Sequence, residues 1–268
     1  MFTFFRYIRA CTFFTVIFCS QLASAIVIQL DFFGDFNSNQ YNTFNQAKSF
    51  WENRLTGYQN NLVMPSAISI NANATSIDGV GNILGSAGPT YIWSTPNYVY
   101  TSDGEMNFDT ADLDNMENNG SLESVILHEM AHVLGFGTLW EYNGVYQDGS
   151  GAYTGANALE QWRTEFGQTD ATYIPVELAG GSGTADGHWD EITWGSNFTG
   201  IADSNGNDMR NELMSGWLNQ PTFVSNMTIM SFADIGYTVA PVPLPASFMF
   251  FISGLVGLLG IKRIKSSN

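Results

Sequence analysis

Residues 26–33, Ile-Val-Ile-Gln-Leu-Asp-Phe-Phe, alternate well enough between apolar and polar positions to predict a strand that opens the folded part of the chain. From residue 42 to 54 the apolar side chains fall at Phe44, Ala47, Phe50 and Trp51, a helical spacing that predicts a helix packed on that strand. Residues 67–108 are rich in Gly, Asn, Ser, Thr, Ile and Tyr with repeated turn signals, which predicts short strands joined by tight loops. A helical turn over 112–119 is broken at Asn118-Asn119-Gly120. A longer helix is then expected from Ser121 as N-cap, through Glu123 in its first turn, to Gly135. Leu122, Ile126, Met130 and Val133 form its apolar stripe, which leaves His128 and His132 together on nearly the opposite side.

Beyond Gly135 the pattern dissolves into Gly-, Asn- and Asp-rich sequence with scattered aromatic residues, so a loop-rich second lobe is expected, with short helices near 156–166 and 221–235. No internal repeat or long low-complexity linker interrupts residues 26–237. The fold class that follows is α+β: one domain over about 26–240, with an N-terminal mixed sheet and helices (about 26–135) and a loop-rich C-terminal lobe (about 136–240).

The two ends do not belong to that pattern. Arg6 and Arg9, an uncharged, mostly apolar run over 10–22 and the triplet Ala23-Ser24-Ala25 read as a secretory signal peptide cut after Ala25. Both cysteines, Cys11 and Cys19, lie inside it, which leaves histidine and carboxylate as the strong metal ligands of the mature chain. At the other end stand Val242-Pro243-Leu244-Pro245, an apolar stretch over 246–261, and Lys262, Arg263 and Lys265. This is the order of a transmembrane helix with a positive stop, which places the preceding domain outside the cytoplasm. It resembles the PEP-CTERM sorting tail of Gram-negative bacteria in its Val-Pro-Leu-Pro variant, which implies an exosortase-like sorting protease as partner and a location at the cell envelope or beyond; a plain membrane anchor is the alternative.

Charge narrows the function further. All 25 acidic residues follow Ala25, against Lys48, Arg54, Arg163 and Arg210 before the tail, so nucleic acid is excluded as a partner.

The chemistry is concentrated at His128-Glu129-Met130-Ala131-His132, an HExxH motif on the predicted helix. Two imidazoles one turn apart converge on one zinc, and Glu129 reaches the water in an open coordination position. With the scissile carbonyl polarised by zinc, Glu129 as general base takes the proton of the attacking water and passes it to the leaving amine. Two of the three histidines of the chain fill this motif, and Gly135 extends it to HExxHxxG, where a glycine turns the chain sharply back. The commoner metzincin pattern has its third histidine where this chain has Thr138. The remaining histidine, His188, lies in Asp186-Gly187-His188-Trp189 after a glycine-rich stretch that begins at Gly180; Glu141 and Glu160 are the rival third ligands.

The layout resembles the leishmanolysin-like branch of the metzincins, in which an insertion separates the helix glycine from the third ligand. The residues that carry the resemblance are His128-Glu129-x-x-His132-x-x-Gly135-Phe136, His188-Trp189 and Glu212-Leu213-Met214-Ser215-Gly216. The resemblance implies a metzincin-like zinc protease acting on protein or peptide substrates, with Met214 forming a Met-turn beneath the metal. The chain lacks that family's many disulfide cysteines. The competing function is a non-enzymatic surface or matrix protein that keeps the fold for adhesion.

Residues 203–208 alternate oxygen ligands around Gly206, in the manner of a calcium loop, but lack the closing glutamate. Trp93, Trp140, Trp189, Trp194 and Trp217 are candidates for a specificity pocket or for the core.

Overall fold

The computed structural model describes residues 26–59, 65–191 and 197–240. The segments expected to be a signal peptide and a sorting tail lie outside them, and no described helix is long and apolar enough to cross a membrane.

Four strands form the main sheet: β1 (Ile28–Phe33), β3 (Ile68–Thr75), β4 (Gly85–Ser94) and β5 (Val99–Asp109), in the order β1-β3-β5-β4. β1 and β5 flank β3 in parallel, whereas β4 runs antiparallel to β5 and is an edge. β4 and β5 are longer than the short strands expected, because their cross-strand pairing continues from Gly85–Phe108 to Ser94–Val99. The α+β class is therefore the observed one, with a mixed sheet in the N-terminal half.

Helix α1 (Ser38–Arg54) starts before residue 42 because Asn37 and Gln40 form a reciprocal capping box, which satisfies the first backbone donors. Gln40, Phe44, Ala47 and Trp51 are its buried face, while Phe50 is half-exposed and packs edge-on against Trp51. A short helix, α2 (Leu113–Asn119), turns at Gly120 (φ +78°) into α3 (Leu122–Leu134). Ser121 stands at the cap position of α3, but its backbone is already helical and its hydroxyl makes no cap bond, since α2 feeds directly into it.

In the C-terminal half, β6 (Ala152–Tyr153) pairs with β7 (Ile174–Pro175), and helices α4 (Ala156–Glu165) and α5 (Asn226–Asp234) pack together. α5 is shorter than the expected 221–235 because the Ser225 hydroxyl caps it, accepting from the Thr228 amide at 3.0 Å. Finally β8 (Tyr237–Val239) pairs antiparallel with β2 (Leu55–Tyr58), and Phe232 of α5 meets Trp51 at 5.1 Å between ring centroids, so the last elements close against the first.

Candidate metal centre

Helix α3 is held from two sides. The Trp51 indole of α1 donates to the Leu127 carbonyl at 3.1 Å, and on the sheet side Gly104 of β5 approaches Val133 so closely that a β-carbon at Gly104 would collide with it. Apart from Glu123, Ser124 and His128 every residue of α3 is buried, so the single apolar stripe read from the sequence is in fact one of two packed faces. His128 and His132, four residues apart, project from α3 on a common side.

At the end of α3, Gly135 adopts φ +116°, a left-handed conformation that suits glycine. The chain then runs back over the helix terminus: the Phe136 carbonyl lies 3.0 Å from His132 Nδ1, and the Thr138 hydroxyl donates to the His132 carbonyl at 2.7 Å. Thr138 thus closes the helix end at the position where the commoner pattern has a ligand. Gly137 (φ +72°) was not singled out from the sequence, yet a β-carbon there would lie 2.5 Å from the Gly187 carbonyl oxygen. The two glycines let the His188 loop touch the end of the helix.

His188 is delivered by its neighbour. Trp189 is fully buried, stacked on Trp140 at 5.0 Å and 29° and met edge-on by Phe136 at 5.0 Å and Tyr153 at 5.2 Å. Each such pair contributes roughly 0.5–1.5 kcal/mol beyond area burial. The Trp189 amide donates to the Met214 carbonyl at 3.0 Å, and the His188 carbonyl accepts from the Glu177 amide at 3.0 Å. On the outer side Asp186, held at φ +64°, accepts from the Tyr146 hydroxyl and from the Gly149 amide.

The outcome is a triangle in which the Nε2 atoms of His128, His132 and His188 lie 3.0 Å from one another. Each opposite ring nitrogen faces a carbonyl: His128 Nδ1 that of Leu213 at 2.7 Å, His132 Nδ1 that of Phe136, and His188 Nδ1 that of Thr184 at 2.8 Å. A carbonyl only accepts, so the hydrogen-bond network assigns the proton to each Nδ1. Three bare Nε2 lone pairs then converge with no hydrogen among them, an arrangement that repels itself unless a cation is shared. Burial drives all three imidazoles toward the neutral form: it lowers His128, takes His188 down to about 3, and with the neighbouring rings holds His132 well below the usual histidine range. Three neutral imidazoles oriented by carbonyls are the donor set of a zinc site with an open position. Among the described residues this is the cluster of metal-ligating side chains that the fold assembles.

Glu129 is buried beside the cluster, and burial pushes its carboxyl up to about 8. It lies under the start of β4, where a β-carbon at Gly85 would come 3.1 Å from its Oε1. Met214 is fully buried in the segment that links the ligands: the carbonyl before it accepts from His128, and its own accepts from Trp189. Glu141 and Glu160 are exposed and stand outside the cluster. In the 203–208 loop the aspartates accept backbone amides: Asp203 those of Asn205 and Asn207 inside the loop, and Asp208 those of Thr199, Gly200 and Arg210 flanking it. Trp140 and Trp189 are core, Trp93 and Trp217 are partly exposed, and Trp194 is outside the described residues. The orienting carbonyls of Leu213, Phe136 and Thr184 could not be found from sequence, since a backbone carbonyl has no residue signature; Gly137 and Gly187 left only their identity as a trace.

A family model described as leishmanolysin matches residues 86–244 of this chain, from β4 past the described C-terminal elements. A leishmanolysin homolog of Crithidia fasciculata is 26% identical over 159 residues, covering 54% of this chain and 22% of the relative. The match thus spans about a fifth of that relative's length.

Proposed function

Given that the chain belongs to the leishmanolysin family, we propose that it is a zinc-dependent endopeptidase in which His128, His132 and His188 hold the metal and Glu129 is the general base. The observation that carries this reading is the convergence of three unprotonated Nε2 atoms 3.0 Å apart, each ring fixed by a carbonyl behind it. When bound, zinc supplies Lewis acidity to the scissile carbonyl and to the attacking water. Glu129, buried on α3 next to His128, takes the proton of that water and delivers it to the departing amine.

The substrate is an extended polypeptide added along β4. In support, β4 is a sheet edge and opens with Gly85-Ser86-Ala87-Gly88, small residues that leave room at the point where Gly85 lies over Glu129. Met214 serves as the Met-turn residue, the buried floor between the segments that hold His128 and His188. The enzyme works outside the cytoplasm, exported by its N-terminal signal and processed at its Val-Pro-Leu-Pro tail by an exosortase-like protease; the sequences at 1–25 and 242–265 support this.

The deciding experiment is cleavage of casein or a peptide library by the purified protein, with and without a chelator, beside Glu129→Gln. Chelator-sensitive cleavage that the variant loses is expected. Equal cleavage by the variant would sink the mechanism, and a zinc-free, chelator-insensitive protein without cleavage would favour the adhesion reading.

A further inference from the structure

Glu212 is a carboxylate with only 1% of its surface exposed, and its hydrogen-bond partners are Met214, Ser225 and Thr228 rather than the histidines, so the mechanism above does not use it. Its surroundings are nevertheless unusually complete. Oε1 accepts from the Ser225 amide at 2.9 Å, the Ser225 hydroxyl at 2.8 Å and the Thr228 hydroxyl at 2.7 Å; Oε2 accepts from the Met214 amide at 2.6 Å. Burying a carboxylate is costly unless it is fully hydrogen-bonded, and four donors meet that requirement.

Two routes lead from this carboxylate to the ligand segments. Along the chain, Glu212 holds the Met214 amide, the Leu213 carbonyl between them orients His128 at 2.7 Å, and the Met214 carbonyl receives the Trp189 amide, next to His188. Through space, the Thr228 hydroxyl accepts from the Trp189 indole at 2.8 Å and turns its own hydrogen to Glu212. The ligand from α3 and the ligand from the loop therefore meet in one buried hydrogen-bond network centred on Glu212.

We infer that Glu212 is a positioning residue of the metal centre: its carboxylate ties the turn that orients His128 to the tryptophan that carries His188, and so sets how closely the two imidazoles converge. This rests on the metal reading above. A Gln at this position has a single oxygen. That oxygen serves the three donors now at Oε1, and the amide nitrogen is left facing the Met214 N–H, which frees the turn while α5 keeps its cap.

The experiment is cobalt(II) binding to the metal-depleted full-length protein, in competition with a chelator, together with the visible spectrum of the bound ion and the unfolding temperature of the metal-free form. Glu212→Gln is expected to weaken cobalt binding about 10- to 100-fold, the effect usual for residues that orient ligands, and to change the intensity of the spectrum. The control is Glu165→Gln: Glu165 caps the same helix α5, accepting from the Asn226 and Met227 amides at 3.0 Å, but touches neither Met214 nor Trp189. It is expected to lower the metal-free unfolding temperature and leave cobalt affinity and spectrum as in the parent. Thr228→Val, which removes the through-space route, both the bond from the Trp189 indole and the bond to Glu212, and leaves the bond from the Met214 amide in place, should weaken binding about 5- to 30-fold, the worth of one to two hydrogen bonds, and serves if Glu212→Gln does not fold. Should Glu212→Gln, or Thr228→Val in its place, bind cobalt with the affinity and spectrum of the parent, Glu212 is a helix cap and the inference is overturned. A parent protein that binds no metal at all overturns the metal reading itself, and the two failures are thereby distinct.

Discussion

Helix α3 and the stretch 177–191 deliver histidines to the same point by opposite means. In α3 the backbone satisfies itself, and the spacing of His128 and His132 follows from 3.6 residues per turn. The 177–191 stretch has no helix, and its regular pairing amounts to isolated bridges, Val176 with Trp189 and Trp189 with Ser215. What fixes it is contact with other parts of the molecule: Gly187 against Gly137, Asp186 against Tyr146, and Trp189 among Phe136, Trp140 and Tyr153. Two histidines are thus secured by local geometry and the third by long-range packing, so the third is where the site should fail first.

The largest effect expected from breaking this arrangement is that of His188→Ala, which should retain less than about a tenth of an equivalent of zinc and no measurable cleavage, because two protein ligands fall short of the three that a catalytic zinc site uses. Glu160→Ala should keep both; the reverse pattern in zinc analysis of the two variants would move the third ligand to the carboxylate. Next, Glu129→Gln on the helix side should leave zinc in place while kcat falls by about 10²- to 10⁴-fold, the usual share of a general base.

Packing gives a smaller and more discriminating effect. Trp189→Ala should cost about 3–5 kcal/mol in denaturant unfolding and also weaken zinc binding, whereas Ile126→Ala, fully buried on α3, should cost about 2–5 kcal/mol with zinc affinity unchanged. If both variants lose affinity alike, the contrast between helix and loop is wrong. Removing zinc should sharpen it: limited proteolysis of the chelated protein is expected to cut first within 177–191, and first cuts within 122–134 would contradict it. The smallest effect separates two glycines. Gly167→Ala (φ +69°, nothing within 4 Å of the added β-carbon) should cost only the roughly 1 kcal/mol of a left-handed alanine, while Gly137→Ala (φ +72°, against Gly187) should cost more and weaken zinc binding as well.

The elements that were legible in sequence are those whose pattern is local. β1, α1, α3 and α4 lie close to where periodicity put them, with α1 lengthened by a capping box that its apolar spacing does not report. The sequence of α3 shows one apolar stripe; its second packed face depends on Gly104 and Trp51, which approach it from distant parts of the chain. The start of α5 was placed too early at Pro221, since residues 221–224 are drawn off by Glu212 and Leu213: Phe223 bridges Glu212 and its carbonyl receives the Leu213 amide at 2.8 Å.

The sequence by itself determined the arrangement on α3: the order His-Glu-x-x-His, with a glycine to end the helix, puts two imidazoles on one side with Glu129 next to the first, because helical spacing is a property of the backbone alone. It also marked His188 and Met214, by elimination and by resemblance. Only the tertiary structure decided that His188 comes within 3.0 Å of its partners, which carbonyls turn the three rings, and that Glu212 joins the two halves of the site. The physical reason is that a histidine 56 residues beyond His132 is placed by packing and hydrogen bonds between segments far apart in the chain, and these leave no period in the sequence.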